Sequence, residues 1–216
     1  MGPTAAGKTD AAIFLHEQFG CDIISVDSAL VYKGMDIGTA KPDAQTLSRA
    51  PHALIDIIEP WQSYSAANFV ADAYKLMEES HNRNKMPLLA GGTMMYYRSL
   101  QQGLSRLPDA DAVIRAGFEQ TAEEIGWQGL HQRLSQIDPE SAQRINKNDP
   151  QRIGRALEVH AITGQTMTEL HRLDKGHKLD YKVLKIVIAP ERALLHKRIE
   201  QRFESMLKEG FIEEVE

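Results

Sequence analysis

The run Gly2-Pro3-Thr4-Ala5-Ala6-Gly7-Lys8-Thr9 has a glycine, four residues and then Gly-Lys-Thr, which is the spacing of a phosphate-binding loop. Gly2 and Gly7 can take backbone conformations closed to residues with a Cβ, so that successive N–H groups turn inward and form an anion nest. A helix opening near Gly7 adds its own N-terminal N–H groups and its dipole. Lys8 brings a mobile positive charge to phosphate oxygens, and the Thr9 hydroxyl can reach a Mg2+ ion that bridges them. The pattern calls for a diphosphate or triphosphate, a nucleotide such as ATP included, without selecting ATP. A chance match in a glycine-containing turn is the alternative.

Other residues could act on what the loop holds. Asp27 follows the apolar run 22–26, and a carboxylate there could serve as a general base, hold Mg2+ through water, or simply cap a turn. Arg198 and Arg202 are four apart on one helix face, where they could clamp a pyrophosphate or be ordinary solvated charges among Glu200 and Glu204. In Gly91-Gly92-Thr93, two glycines allow either close approach to a ligand or a tight turn. The segment 144–155 carries Arg144, Lys147, Arg152 and Arg155 against Asp149 alone, which reads as an RNA patch or as a charged helix end. No histidine pair has zinc spacing, so His171 and His177 read as surface or packing residues. Met94 and Met95 read as core filling and Cys21 as a buried small hydrophobe.

These residues need an α/β framework to bring them together. Apolar spacing predicts a helix over 8–19 closed by Gly20, a buried parallel strand over 22–26, and further strands over 53–57, 87–90 and 183–189. Ser65 should cap a helix ending near Asn84, and 191–209 should form an amphipathic helix with Leu195, Ile199, Phe203, Met206 and Leu207 on its apolar face. Between about Gln101 and Lys178 strand signals vanish, and helices are expected over 109–125, 127–137, 139–145 and 150–163, the last opened by Asp149-Pro150 and closed by Gly164. The expected fold is a phosphate-loop α/β core of parallel strands flanked by helices (1–100), an inserted all-helical subdomain (101–178) and a return to the core (179–216).

Composition narrows the classes. With 42% hydrophobic and 25% charged residues, the chain has neither the polarity of a disordered segment nor an apolar run long enough to span a membrane. One cysteine allows no internal disulfide, which fits a reducing cytoplasm. A formal charge of -5 excludes a uniformly basic coat, so any nucleic-acid surface must be local. Only Met1 precedes Gly2, and 210–216 reads as the opening of another helix. The chain is therefore expected to be a fragment that folds poorly and turns over little by itself.

In order along the chain, the phosphate loop, Ser25-Val26-Asp27-Ser28, Val31-Tyr32-Lys33-Gly34-Met35-Asp36-Ile37-Gly38-Thr39-Ala40-Lys41-Pro42, Gly91-Gly92-Thr93, and Asn148 to Ile153 with Arg155-Ala156-Leu157-Glu158 resemble the bacterial tRNA isopentenyltransferases, or tRNA dimethylallyltransferases. The resemblance spans nearly the whole chain. It implies transfer of a dimethylallyl group from its pyrophosphate to the exocyclic amine of the adenine 3′ of the anticodon, in tRNAs reading codons that begin with U. It further implies that Lys8, Thr9 and the loop amides hold the leaving pyrophosphate with Mg2+, and that Asp27 takes the proton from the attacking amine. By the same resemblance, Asp27, Ser28, Ala29, Leu30, Thr93, Arg115 and Gln151, Arg152, Ile153, Gly154 and Arg155 match positions that touch the tRNA anticodon stem-loop. Arg202 matches an arginine near the donor pyrophosphate. A cytoplasmic monomer is expected. The chain departs from the family's pattern at Ala29 or Leu30, where members carry glutamine, and at Ala53, where a second histidine would follow His52. The rivals are a phosphate-loop small-molecule kinase with Asp56 as its metal-holding aspartate, an adenylate isopentenyltransferase acting on free nucleotides, and a non-catalytic RNA-binding module.

Overall fold

A computed structural model describes residues 1–105, 107–174 and 179–216; His177 lies outside them. In chain order the elements are α1 (Lys8–Phe19), β1 (Asp22–Val26), α2 (Ala44–Arg49), β2 (His52–Ala53), α3 (Ala66–Asn82), β3 (Pro87–Gly91), α4 (Met94–Gln102), α5 (Ala112–Ile137), α6 (Pro139–Arg144), α7 (Pro150–Thr163), α8 (Met167–Leu173), α9 (Arg192–Glu209) and α10 (Phe211–Val215). They form two compact units, Met1–Gln101 with Leu179–Glu216 and Gln102–Lys178. No described helix is long and apolar enough to cross a membrane.

In the first unit β1 is the middle strand of a parallel sheet ordered β2-β1-β3, with Ile24 opposite Ala53 on one side and Val26 opposite Gly91 on the other. A central parallel strand is covered on both faces, which explains why Ile23, Ile24, Ser25 and Val26 are all buried. Ile23 packs with Ala12 and Ile13 of α1, whereas Ile24 and Val26 pack with Phe69, Ala73 and Met77 of α3 and with Tyr96 of α4. Those α3 residues recur at helical spacing on one face. Ser65 and Asn68 form a reciprocal capping box at the start of α3, and Phe69 stacks on Tyr96 with ring centroids 4.4 Å apart. Cys21 is buried and unpaired.

Among its described residues, the second unit is helical wherever it has regular structure. Gly126, with φ of 72°, breaks α5 into two stretches, and Leu130 and Leu134 of the latter pack with Ala142, Ile153, Ala156 and Leu157. Asp138 caps α6 and also binds α8: its carboxylate accepts from the Ser141 N–H at 3.0 Å and from the Thr168 N–H and hydroxyl at 3.0 and 2.7 Å. The helix α7 begins with Pro150 after the capping Asp149 and ends at Gly164.

Four expectations require correction. The strand over 53–57 stops at Ala53, because Leu54 and Asp56 take φ of 65° and 54° and leave the extended region. The segment 183–189 is not a strand: it runs beside the start of the chain, with Met1 N donating to Ile186 O at 2.8 Å and Ile188 N to Met1 O at 2.9 Å, and the Ile188 carbonyl lies where a Cβ on Gly2 would fall. Met94 and Met95 are more than half exposed, since the first turn of α4 projects them away from the core that Tyr96, Tyr97 and Leu100 enter. On α9 only Met206 of the five apolar positions is buried, whereas Phe203 and Leu207 are exposed.

Candidate active site

The phosphate loop leads straight into α1. Gly7, at φ 89°, occupies the left-handed region that glycine enters freely, and Lys8 begins the helix without any side-chain cap. Its first-turn N–H groups are therefore available to an anion. Ala5 also has a positive φ, 56°, which is unusual for a residue with a Cβ. The Lys8 ammonium folds back over the loop and donates to the Pro3 carbonyl at 2.6 Å. Burial pushes that ammonium below the usual lysine range, while Asp27 draws it back up and Arg202 pushes it down further.

Arg202 reaches the loop from α9. Its Nη2 donates to the Thr4 hydroxyl at 2.6 Å, a contact between residues 198 apart in sequence. Arg198 and Arg202 line a cleft of about 300 Å³ whose other walls are Ala5, Ala6, Gly7, Lys8, Thr9 and Asp10. Three cationic side chains thus converge on a backbone nest and a helix N-terminus. That arrangement suits a multiply charged phosphate group.

The acid and the hydroxyls lie at the carboxyl ends of β1 and β3, the edge of an α/β sheet where ligands bind. Asp27 follows β1 directly, and its Oδ1 accepts from the Ala29 N–H at 2.9 Å. Thr93 follows β3, and its Oγ1 accepts from the Ser28 N–H at 3.0 Å while its own N–H donates to the Val26 carbonyl at 3.1 Å. The two glycines before it have different reasons. A Cβ on Gly91 would overlap the Val26 carbonyl of the neighbouring strand, whereas one on Gly92 would stand 3.7 Å from Lys8 Nζ, facing the loop. Leu30 sits behind this rim, its carbonyl accepting from the Asp56 N–H at 3.1 Å.

Sequence reasoning passed over Lys41. Its side chain is 4% exposed and bonds the Asp36 carboxylate at 2.5 Å, the Asp56 carboxylate and the Tyr32 carbonyl at 2.8 Å. The only signal for it was its place in the 31–42 motif. Asp56, the aspartate a kinase would use for metal, is committed to this lysine. Among the described residues no group of three His, Cys, Asp or Glu could hold a metal. Thr9 is exposed beside the nest, and such a hydroxyl suits Mg2+, which is commonly held by few protein oxygens together with substrate phosphates.

The second unit carries the remaining candidates. Gln151 and Arg152 are exposed at the start of α7, and Arg152 lies 3.4 Å from Asp149 with its side chain 73% accessible. Arg155 and Arg115 both bond the fully buried Glu158, at 2.6 and 2.9 Å, and Arg155 also donates to the Pro108 carbonyl at 2.5 Å. The side chain of Ile153 is a correction: it is wholly buried among Leu130, Leu134 and Leu157, so it cannot touch RNA. Gly154 faces the ring of Trp127. His171 is exposed and shares a hydrogen bond with the Ser105 hydroxyl at 2.8 Å, in keeping with the surface or packing role expected of it.

Comparison with known proteins gives these features a context. A family model described as IPP transferase matches residues 30–216. The chain is 38% identical to the crystal structure of the tRNA isopentenylpyrophosphate transferase from Bacillus halodurans, covering 99% of this chain and 66% of that one, with a TM-score of 0.63. For the tRNA isopentenylpyrophosphate transferase from Staphylococcus epidermidis the identity is 35%, the coverage 100% and 70%, and the TM-score 0.63. A eukaryotic dimethylallyltransferase crystallised acting on tRNA is 25% identical, with coverage of 99% and 53% and a TM-score of 0.82. The chain thus spans from about half to somewhat over two thirds of the length of these structures.

Proposed function

The chain belongs to the IPP transferase family, and from that premise we propose that it moves the dimethylallyl group of dimethylallyl pyrophosphate to the exocyclic amine of the adenine 3′ of the anticodon, in tRNAs reading codons that begin with U. The observation that carries this reading is the cleft at the phosphate loop, where Lys8, Arg198 and Arg202 face a backbone nest close to Asp27. The reading includes recognition of the anticodon stem-loop, a cytoplasmic location and a monomeric protein.

In the proposed step the amine nitrogen attacks the allylic carbon, the bond from that carbon to the pyrophosphate oxygen breaks, and the electron pair leaves with pyrophosphate. Negative charge grows on the leaving group in the transition state. Lys8, Arg202 and the loop N–H groups stabilise that charge more than they stabilise the ground state, which is what lowers a barrier. Bound Mg2+ would neutralise part of the pyrophosphate charge, with Thr9 the side chain suited to hold it. Asp27 accepts the proton that the nitrogen loses, a contribution of about 10²–10⁴-fold in rate. Ser28, Ala29 and Thr93 line the same rim and, with Leu30 behind it, are proposed contacts for the target nucleotide. Gln151, Arg152 and Arg155 are proposed contacts in the second unit, Arg152 being the most open to a phosphate. Arg115 is proposed with them and is held through Glu158. Unstacking the adenine costs a few kcal/mol, which such contacts would offset.

The test is acceptor choice. The protein is incubated with Mg2+, labelled dimethylallyl pyrophosphate and either unmodified tRNA or AMP, with ATP hydrolysis followed in parallel. Label in tRNA alone supports the proposal. Label in AMP would reassign the chain to prenylation of free nucleotides, and ATP turnover without label transfer would reassign it to the kinases.

A further inference from the structure

Glu214 lies outside the cleft, yet it bears on how α9 is held. At the end of α9, Gly210 takes φ of 100° and turns the chain into α10. From α10 the Glu214 carboxylate accepts from three successive backbone N–H groups of the 31–42 segment: Oε2 from Asp36 at 2.7 Å and from Ile37 at 2.6 Å, and Oε1 from Gly38 at 2.9 Å. Successive amides converging on one anion form a nest, here filled by a side chain of the same protein. Burial by itself would raise the Glu214 carboxyl, but the amides of Ile37, Gly38 and Asp36, with Lys41 nearby, outweigh it and hold the group below the usual range. The carboxylate is therefore charged and its bonds are charge-assisted.

Shape reinforces the charge. A Cβ on Gly38 would overlap the Phe211 ring, so only glycine allows α10 to lie this close. Phe211 in turn meets Phe203 of α9 edge-on, with centroids 6.4 Å apart and planes at 71°. Phe203 follows Arg202 in sequence, so the contact lies next to the arginine that bonds Thr4. The receiving segment is itself fixed by Lys41 through Asp36 and Asp56. Only Met206 of α9 is buried, so apolar packing gives this helix little hold.

We propose that Glu214 is a positioning residue for the phosphate cleft: its grip on the amides of Asp36, Ile37 and Gly38 fixes α9 so that Arg202 and Arg198 meet the pyrophosphate of the donor. The proposal rests on the function given above.

The test compares wild type with Glu214→Ala, Glu214→Gln, Glu214→Asp and Gly38→Val. The readouts are the Kd for inorganic pyrophosphate by calorimetry, and kcat with KM for each substrate. Glu214→Ala and Glu214→Gln should weaken pyrophosphate binding and raise the donor KM roughly tenfold, the loss of about one charged phosphate contact. The KM for tRNA should stay within about twofold, since a local change leaves distant contacts alone. Gly38→Val, which opens the same joint from the other side, should reproduce the effect, and Glu214→Asp should recover part of it. Arg202→Ala should add little to Glu214→Ala in a double-mutant cycle. Unchanged pyrophosphate affinity in Glu214→Ala, losses that simply add, or equal damage to both substrates would overturn the proposal. If Glu214→Ala does not fold, Glu214→Gln and Gly38→Val decide. Failure of wild type to transfer the prenyl group would refute the proposed function, while calorimetry with pyrophosphate would still decide the role of Glu214.

Discussion

Ala5 is the residue of the phosphate loop whose backbone leaves its side chain least freedom. Its φ of 56° lies in a region where alanine is strained and a β-branched residue more so. Ala5→Gly should therefore bind pyrophosphate at least as well as wild type, and Ala5→Val should bind at least about tenfold more weakly, the direction set by an excluded conformation. Calorimetry on the two variants checks this. The special conformation of Gly7 was legible in the sequence, because glycine at that place in a phosphate loop has one main use. That of Ala5 was not, because alanine announces no φ. Distance hid other contacts. The bond from Arg202 to Thr4 joins two ends of the chain and leaves no local trace, whereas Asp27 could be placed at the rim from the apolar strand before it. Arg155 read as part of an RNA patch or a charged helix end and Arg115 came only from the family resemblance, and a buried Glu158 between them could only be found in the folded unit.

Helices with both end signals were readable as elements. Ser65 before α3, and Asp149-Pro150 before and Gly164 after α7, mark ends that the structure reproduces within a residue or two. The short α2 and α8 escaped notice because they are too brief to show a period. The amphipathic pattern of α9 showed which face is apolar but not whether anything covers it, and Phe203 and Leu207 are exposed. Strand length was misread at 53–57 because apolar composition says nothing about the positive φ at Leu54 and Asp56. In the second unit, the tie between α5 and α7 is electrostatic as well as apolar. Burial would raise the Glu158 carboxyl, but Arg115, Arg155 and the Asp111 N–H outweigh it and hold it low. A carboxyl depressed on folding stabilises fully above its unfolded value of about 4.3, and that stabilisation is lost as pH falls through the depressed value. Glu158→Gln should destabilise by roughly 2 kcal/mol near neutral pH, a figure reduced from that of a closed pair because Arg115 is half exposed. The gap in melting temperature between wild type and variant should shrink steadily in acid. A gap independent of pH would show that Glu158 acts through shape alone.

For the whole molecule, a charge of -5 sets the terms on which it would meet the proposed tRNA. Attraction must come from local cations, so the dependence of tRNA affinity on salt should reflect only a few phosphate contacts. Arg152, open and weakly paired, is the clearest candidate for one. Arg152→Ala should reduce the slope of log affinity against log salt by about 1, without changing pyrophosphate binding. A slope that does not move would remove Arg152 from the interface. In the proposed reaction one rim holds the leaving pyrophosphate and takes the proton of the attacking amine. The most direct measurement is single-turnover transfer of labelled dimethylallyl to tRNA by wild type and Asp27→Asn, with pyrophosphate affinity measured on both. We expect transfer by Asp27→Asn to be slower by about 10²–10⁴-fold, with pyrophosphate affinity nearly unchanged. Transfer at the wild-type rate in Asp27→Asn would contradict the account.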